Sequence, residues 1–363
     1  MKATTLLSRS ILVTALGLGA SLLGCGAQST TGGVDTGGSG STSASSASGG
    51  GGSAAEMKFL ARLDAAKSQI PEGLWVTPDS KTAYLGYAFT GQIVAVTLAD
   101  ATVADFASVP APPANKGFVT GITQSAAGDL YVAAATLDPA AYKGGIYKVP
   151  AKGGAVTTLF AADAAMTLPN GLVFDKTGNL FVTDSGLGAI FKISADGQTV
   201  TRWFADPLLA GDNGAANPCK TPLGIPFGAN GIVLVNNAFY VANTDKATLI
   251  KIPIAVDGAA GAALVFAKSD PVTCAPLQGA DGLSADADGS LFVAADGGNS
   301  LVQVGADGKA TVLAKGGLLD GPASVSLATI GAKKYALVSN FGIGTILAKK
   351  TPNVGLLSYG PLP

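Results

Sequence analysis

Apolar positions along this chain fall in short alternating runs and not in helical stripes. In "PNGLVFDKTGNLFVTDSGLGAIFKI", residues 169–193, apolar runs are separated by the turn Lys176-Thr177-Gly178-Asn179. Period-two alternation bounded by Gly, Asn and Asp is the pattern of half-buried strands joined by tight turns. The region predicts four strands, at residues 172–175, 180–183, 189–193 and 200–204. A second region reads the same way through the turn Ala287-Asp288-Gly289-Ser290, with strands at 283–285, 291–294, 300–304 and 310–313. The one helical candidate is residues 55–69, where Phe59, Leu60 and Leu63, with Ile70 just beyond, fall at mixed spacing.

The phrase recurs. "PEGLWVTPDSKTAYL" from Pro71, "VTGITQSAAGDLYVA" from Val119, "PNGLVFDKTGNLFVT" from Pro169, "ANGIVLVNNAFYVA" from Ala229 and "ADGLSADADGSLFVA" from Ala280 align, and "PASVSLATIGAKKYALV" from Pro322 is a weaker sixth copy. Taking the residue before each glycine as the marker, the copies step by 48, 50, 60, 51 and 42 residues, which means one supersecondary unit repeated. Four strands per unit and six units predict an all-β, six-bladed β-propeller with four-stranded blades over residues 56–363. Two segments compete to close the ring: residues 55–69 as an outer strand of the last blade, or the C-terminal "VGLLSYG".

In a propeller, equivalent positions of successive blades lie on a ring about the axis. The marker residues are Glu72, Thr120, Asn170, Asn230, Asp281 and Ala323. A single Asn-Gly is usually only a turn. Here four of six ring members, Glu72, Asn170, Asn230 and Asp281, carry carboxylate or carboxamide oxygens, and a turn requirement alone does not select Glu. Two negative charges and two neutral carbonyl oxygens facing one axial cavity repel and stay unsatisfied unless a cation sits among them. Oxygen-only ligation selects a hard ion, and loose side-chain geometry favours one central Ca²⁺ over Mg²⁺. The alternative is a dry polar plug, in which these residues bond to one another and to inner-strand backbone.

The blade phrases, with Glu72, Asn170, Asn230 and Asp281 in that order on Gly-followed strand starts, resemble the gluconolactonase/regucalcin superfamily over residues 70–345. The four-ligand version is similar to the branch that contains diisopropylfluorophosphatase and, more distantly, the paraoxonases. The resemblance implies that the four residues hold a catalytic calcium at one end of the central tunnel. It also implies that Asp281 acts as nucleophile or base, with Glu72 a purely structural ligand. Substrates are then esters, lactones or related electrophiles. The chain departs from the His-assisted members, since it has no histidine, and from the sugar-binding ones, since blade two offers no arginine.

Residues just ahead of the ring positions are expected at the rim: Phe118, Leu168, Phe227 and Gln278. They are mostly apolar, which suits an apolar lactone better than a sugar acid and disfavours gluconolactone. Thr120 joins the candidate substrate pocket with Phe118 and Phe227. Asp184 in "VTDSG", Asn243 in "VANTD" and Asp296 in "VAADGGN" end second strands in like positions and are further candidate contacts; turn capping is the other reading. The Gly-rich runs open no helix and cradle no phosphate. Two functions remain: a calcium-dependent hydrolase of small-molecule esters or lactones, and a non-catalytic binding propeller whose calcium is structural.

Composition narrows the chemistry further. With 363 residues, 48 % apolar and 13 % charged, a large core is available. The net charge of −1 asks for neither nucleic acid nor an anionic surface. The absence of histidine removes Ser-His and Cys-His mechanisms and the usual zinc or copper sites. Beyond Arg9, arginine occurs only at 62 and 202, so a guanidinium clamp on phosphate is not expected.

Residues 1–24 read as a signal peptide, with Lys2 and Arg9 ahead of an apolar stretch ending in Leu22-Leu23-Gly24. "LLGC" resembles a bacterial lipobox, which implies cleavage before Cys25 and a lipid anchor on its thiol. An ordinary secretory signal is the alternative. Gly26 in the next position points to the outer membrane, on either its periplasmic or its outer face. Residues 25–55 form the lipidated cysteine and a Gly/Ser-rich tether with a reach of about 30 Å. Cys219 and Cys274, both exported and both in Pro-rich loops, are expected to pair; two independent buried thiols are the alternative. A monomer is expected.

Overall fold

The computed structural model describes residues 55–362. The signal peptide, the lipidation site at Cys25 and all but the last residue of the tether lie outside the described residues.

Six sheets, antiparallel apart from one added strand, follow one another along the chain. Their innermost strands are Pro71–Val76, Gly117–Gln124, Pro169–Phe174, Ala229–Val235, Ala280–Ala285 and Pro322–Ile330, which number the blades one to six. Blade three continues through Leu180–Asp184, Ala189–Ile193 and Val200–Ala205, and blade five through Leu291–Ala295, Ser300–Val304 and Ala310–Lys315. These agree with the strands read from alternation to within a residue or three at each end. Middle strands are buried on both faces, as in Leu130–Thr136 of blade two, while outermost strands such as Ala310–Lys315 are half exposed.

The core lies between blades. Phe181 of blade three, Phe239 of blade four and the outer-strand Trp203 stack mutually, with ring centroids 4.6 to 5.4 Å apart. Turns follow their sequence signals: Asp175 accepts from the N–H groups of Thr177 and Asn179, both at 2.9 Å, and Gly178 takes the left-handed conformation at φ 86°.

Both closing candidates are used. Gly355–Gly360 is the third strand of blade six, and Glu56–Arg62 is its fourth, with Glu56 opposite Gly360. The segment read as a helical candidate is therefore a strand, followed by a short 3₁₀ turn at Ala65–Lys67. Met57 and Phe59 pack into the cluster between blades five and six, and Ala61 into that between blades six and one, so the two faces of one strand serve both neighbours. Blade one gains an unforeseen fifth strand, Gly154–Ala155, parallel to Val103–Ser108. Among the described residues the one α-helix is Ile343–Leu347.

Two features of the inner strands create the centre. In all six blades the pairing of first and second strands slips at the marker residue, between Pro71 and Leu74, Val119 and Ile122, Pro169 and Leu172, Ala229 and Ile232, Ala280 and Leu283, and Pro322 and Ser324. Such a bulge re-aims a side chain out of the strand's alternation. The following glycine then meets the next blade: a Cβ on Gly171 would stand 2.6 Å from Asn230 O, and one on Gly231 2.5 Å from Asp281 O. The glycine that recurs in the repeat is thus a close approach of adjacent inner strands. Hydroxyls stitch the same seams, with Thr120 Oγ1 donating to Pro169 O at 2.8 Å and Ser339 Oγ to Glu72 O at 2.8 Å, the latter joining blade six to blade one.

Cys219 and Cys274 form a disulfide, their Cα atoms 5.3 Å apart. It joins the long connection between blades three and four to the connection between blades four and five.

Candidate active site

Glu72, Asn170, Asn230 and Asp281 come together at the waist of the central tunnel. All four line a cavity of about 680 Å³, counting the space open to solvent, and Glu72, Asn170 and Asp281 also line the cavity behind it. Their exposures are 6, 5, 1 and 9 %, so the two carboxylates are buried side by side. The wall toward solvent is apolar: Phe89, Phe118, Phe227, Phe341, Leu223 and Ile225 contribute, and no lysine or arginine lines the space.

The orientation of the two amides follows from hydrogen-bond bookkeeping. Ser185 Oγ donates to Ala229 O at 2.8 Å and Thr244 Oγ1 donates to Ala280 O at 2.9 Å. Each hydroxyl has spent its single proton on a carbonyl and can only accept from its asparagine. Asn170 Nδ2 accordingly donates to Ser185 Oγ at 3.3 Å, and Asn230 Nδ2 to Thr244 Oγ1 at 3.0 Å. This leaves each Oδ1 to face elsewhere, and Asn230 Oδ1 is buried with no hydrogen-bond partner.

Charge is uncompensated as well. Burial, reinforced by the nearby Asp296, pushes the Glu72 carboxyl up to about 8. Asp281 is pushed well up by burial, then by Glu72 and Asp296, against smaller help from the Asn230 amide and the Gly282 N–H. Asp296, partly open to the cavity, is raised to about 7 by burial and by Asp320.

A divalent cation fits this donor set. The four side chains supply an orphaned buried amide oxygen and two carboxylates whose charge burial disfavours and no cationic side chain offsets; all are hard donors of the kind calcium takes. Among the described residues no group of three or more His, Cys, Asp or Glu side chains is arranged to hold a metal. A cation here therefore depends on the two asparagine oxygens.

Other candidates divide. Phe118 and Phe227 line the cavity. Thr120 does not: it is fully buried, with its hydroxyl spent on Pro169 O. Asp184 is not a substrate contact either. Its carboxylate accepts from the N–H groups of Thr167, Leu168, Gly186 and Leu187 at 2.7 to 3.0 Å and fastens two loops. Asn243 donates to Leu208 O and Ala210 O and accepts from Lys246 N, which fixes the start of the blade three–four connection.

Asp296 does reach the cavity, because it is not their equivalent. The register pairs Pro169 with Asp184, Ala229 with Asn243 and Ala280 with Ala295, so Asp296 corresponds to Ser185 and Thr244. Leu168 is buried against Ala135 and Phe227, and Gln278 lines a neighbouring groove.

Sequence reasoning missed the groups that set the site up. Ser185 and Thr244 were signalled by a hydroxyl one residue after each second strand. Asp245 carried no comparable signal; it is buried and accepts from Asp212 N at 3.1 Å, Thr221 N at 2.8 Å and Phe227 N at 2.7 Å, folding the disulfide-bonded loop over the cavity.

No family model and no curated protein matches the sequence. Solved structures do match. Regucalcin, a calcium-binding protein of Agrobacterium tumefaciens, superposes with a TM-score of 0.56 at 19 % identity, covering 81 % of this chain and 90 % of its own. A gluconolactonase of Xanthomonas campestris gives 0.57 at 15 % identity, covering 86 % and 91 %. The fold is that of the regucalcin and gluconolactonase propellers. The major allergen Mala s 1 of Malassezia sympodialis is similar to the same degree, with a TM-score of 0.56 at 15 % identity over 81 % and 93 %, so the fold by itself leaves the activity open.

Proposed function

We propose that this protein is a calcium-dependent hydrolase of apolar esters or lactones. The observation that carries the reading is the orphaned Asn230 Oδ1, held beside two buried carboxylates in a cavity without a cationic side chain. Glu72, Asn170, Asn230 and Asp281 would hold the ion. When bound, calcium supplies a Lewis acid that draws charge from a substrate carbonyl oxygen. Asp281 is the group for taking a proton from water or attacking the carbonyl itself, and no imidazole shares the task. Phe118, Phe227 and Phe341 hold the acyl part and exclude solvent.

The test is turnover of a panel of lactones and aryl esters by the purified chain, with calcium and with chelator, alongside Asp281→Asn. The expected result is chelator-sensitive hydrolysis that falls at least a hundredfold in the variant while calcium still binds. Calcium-dependent melting with no turnover would favour the binding-protein reading. That reading draws on one feature: the four ligands come from blades one, three, four and five, so an ion would fasten most of the ring. Export, lipidation at Cys25 and outer-membrane attachment belong to the same proposal. Mass spectrometry of the N-terminal peptide tests them, with Cys25→Ser expected to release the protein from the membrane fraction.

A further inference from the structure

A third cavity, about 850 Å³ with its open mouth, adjoins the first and shares Thr221, Leu223, Asp296 and Ile343 with it. Its character differs. Where the first cavity is walled by phenylalanines, this one is lined by Gln278, Asn299, Thr345, several glycines and the charged Lys220, Asp296 and Asp320. Several of its polar side chains are already committed, Thr345 to Asp320 at 2.6 Å, Asn299 to Gly321 N at 2.6 Å and Lys220 to Gly214 O at 2.9 Å. Thr221 Oγ1 is not: it is buried, lies on the shared wall and has no hydrogen-bond partner, although its own backbone N–H is pinned by Asp245. A buried hydroxyl left without a partner is destabilising, so its place on this wall is a feature to be explained.

We propose that this groove is a polar subsite, and that the ligand is an amphiphilic ester: an apolar chain in the phenylalanine-lined cavity, and a hydroxyl-bearing head in the groove on Thr221 Oγ1 and Gln278. The proposal rests on the hydrolase reading for the word ester, and on the two cavities alone for the division into apolar and polar parts. The disulfide at Cys219 fixes the loop that carries Thr221, which keeps the shared wall in place.

The experiment separates the two readings. Binding of 1-O-octylglycerol and of 1-octanol to the full chain with calcium is measured by calorimetry for the parent, Thr221→Val and Thr221→Ser. The polar head should strengthen binding by about fivefold to tenfold in the parent and in Thr221→Ser, and the advantage should vanish in Thr221→Val. Equal affinity for the two probes in the parent, or a preference that survives in Thr221→Val, overturns the subsite. Hydrolysis of glycerol monooctanoate against methyl octanoate is the second measurement. Thr221→Val should lower kcat/KM for the glyceryl ester at least fivefold more than for the methyl ester, and an equal loss on both would overturn the assignment. If neither ester is turned over, the hydrolase reading fails while the probe binding still decides the subsite.

Discussion

Each asparagine of the ring depends on a hydroxyl neighbour for the way its amide faces. Thr244 spends its proton on Ala280 O, and for that reason Asn230 turns its nitrogen to Thr244 and its oxygen inward. Thr244→Val strands both partners. It is expected to cost about 1–3 kcal/mol of stability and to weaken calcium binding by about tenfold to a hundredfold, with Thr244→Ser restoring both, as read by calcium titration and melting.

The carboxylates make a second prediction. Without calcium, the Glu72 carboxyl lies at about 8 and that of Asp296 at about 7, above their values in an unfolded chain. Between about pH 4.5 and 8 the folded state then holds protons that the unfolded state has released, so stability falls as pH rises. Chelated protein should melt lower at pH 8 than at pH 5. On the proposed reading, calcium would bind the deprotonated form and should shrink or reverse the difference. Equal melting of the chelated protein at both pH values would mean that the two charges are not buried together. At this scale the sequence carried the ring oxygens, because a bulge and a glycine mark each one. It did not carry the roles of Asp184 and Asn243, because "DS", "NT" and "ADG" align one residue out of register unless the strand pairing is known.

Among the elements, the inner strands are the most constrained. Gly231→Ala sets a Cβ 2.5 Å from Asp281 O and 2.8 Å from Gly282 Cα, so the ring must open at that seam. The expected loss is about 1–3 kcal/mol of unfolding free energy, read from a lowered urea midpoint. Gly344→Ala, with no atom within 4 Å of the added carbon and a helical backbone, should be neutral or slightly stabilising. Strand positions were legible because one face or both are buried, and alternation records that. The loop at residues 206–228 was not legible as a cavity wall. Its Thr221, Leu223 and Ile225 reach the site through the three backbone bonds to Asp245 and through a disulfide to another loop, none of which has a period.

For the whole molecule, closure is the governing feature. The last blade takes its outer strand from the beginning of the propeller and its third strand from the end, and neither the spacing nor the residue types of 55–69 said which would pair. Deleting Glu56–Arg62 bares the edge of Gly355–Gly360 and should yield aggregating protein. Rejoining the ends through a short glycine linker and opening the chain at the exposed Asp257-Gly258 turn should instead leave a soluble domain of similar melting temperature.

Glu56 and Gly360 face each other across one antiparallel pair. The polypeptide is, to its neighbours in space, already a circle whose seam lies inside blade six. A growing chain cannot finish this circle until Gly355–Gly360 emerges, so Glu56–Arg62 must wait, unpaired, while the inner strands of all six blades are made.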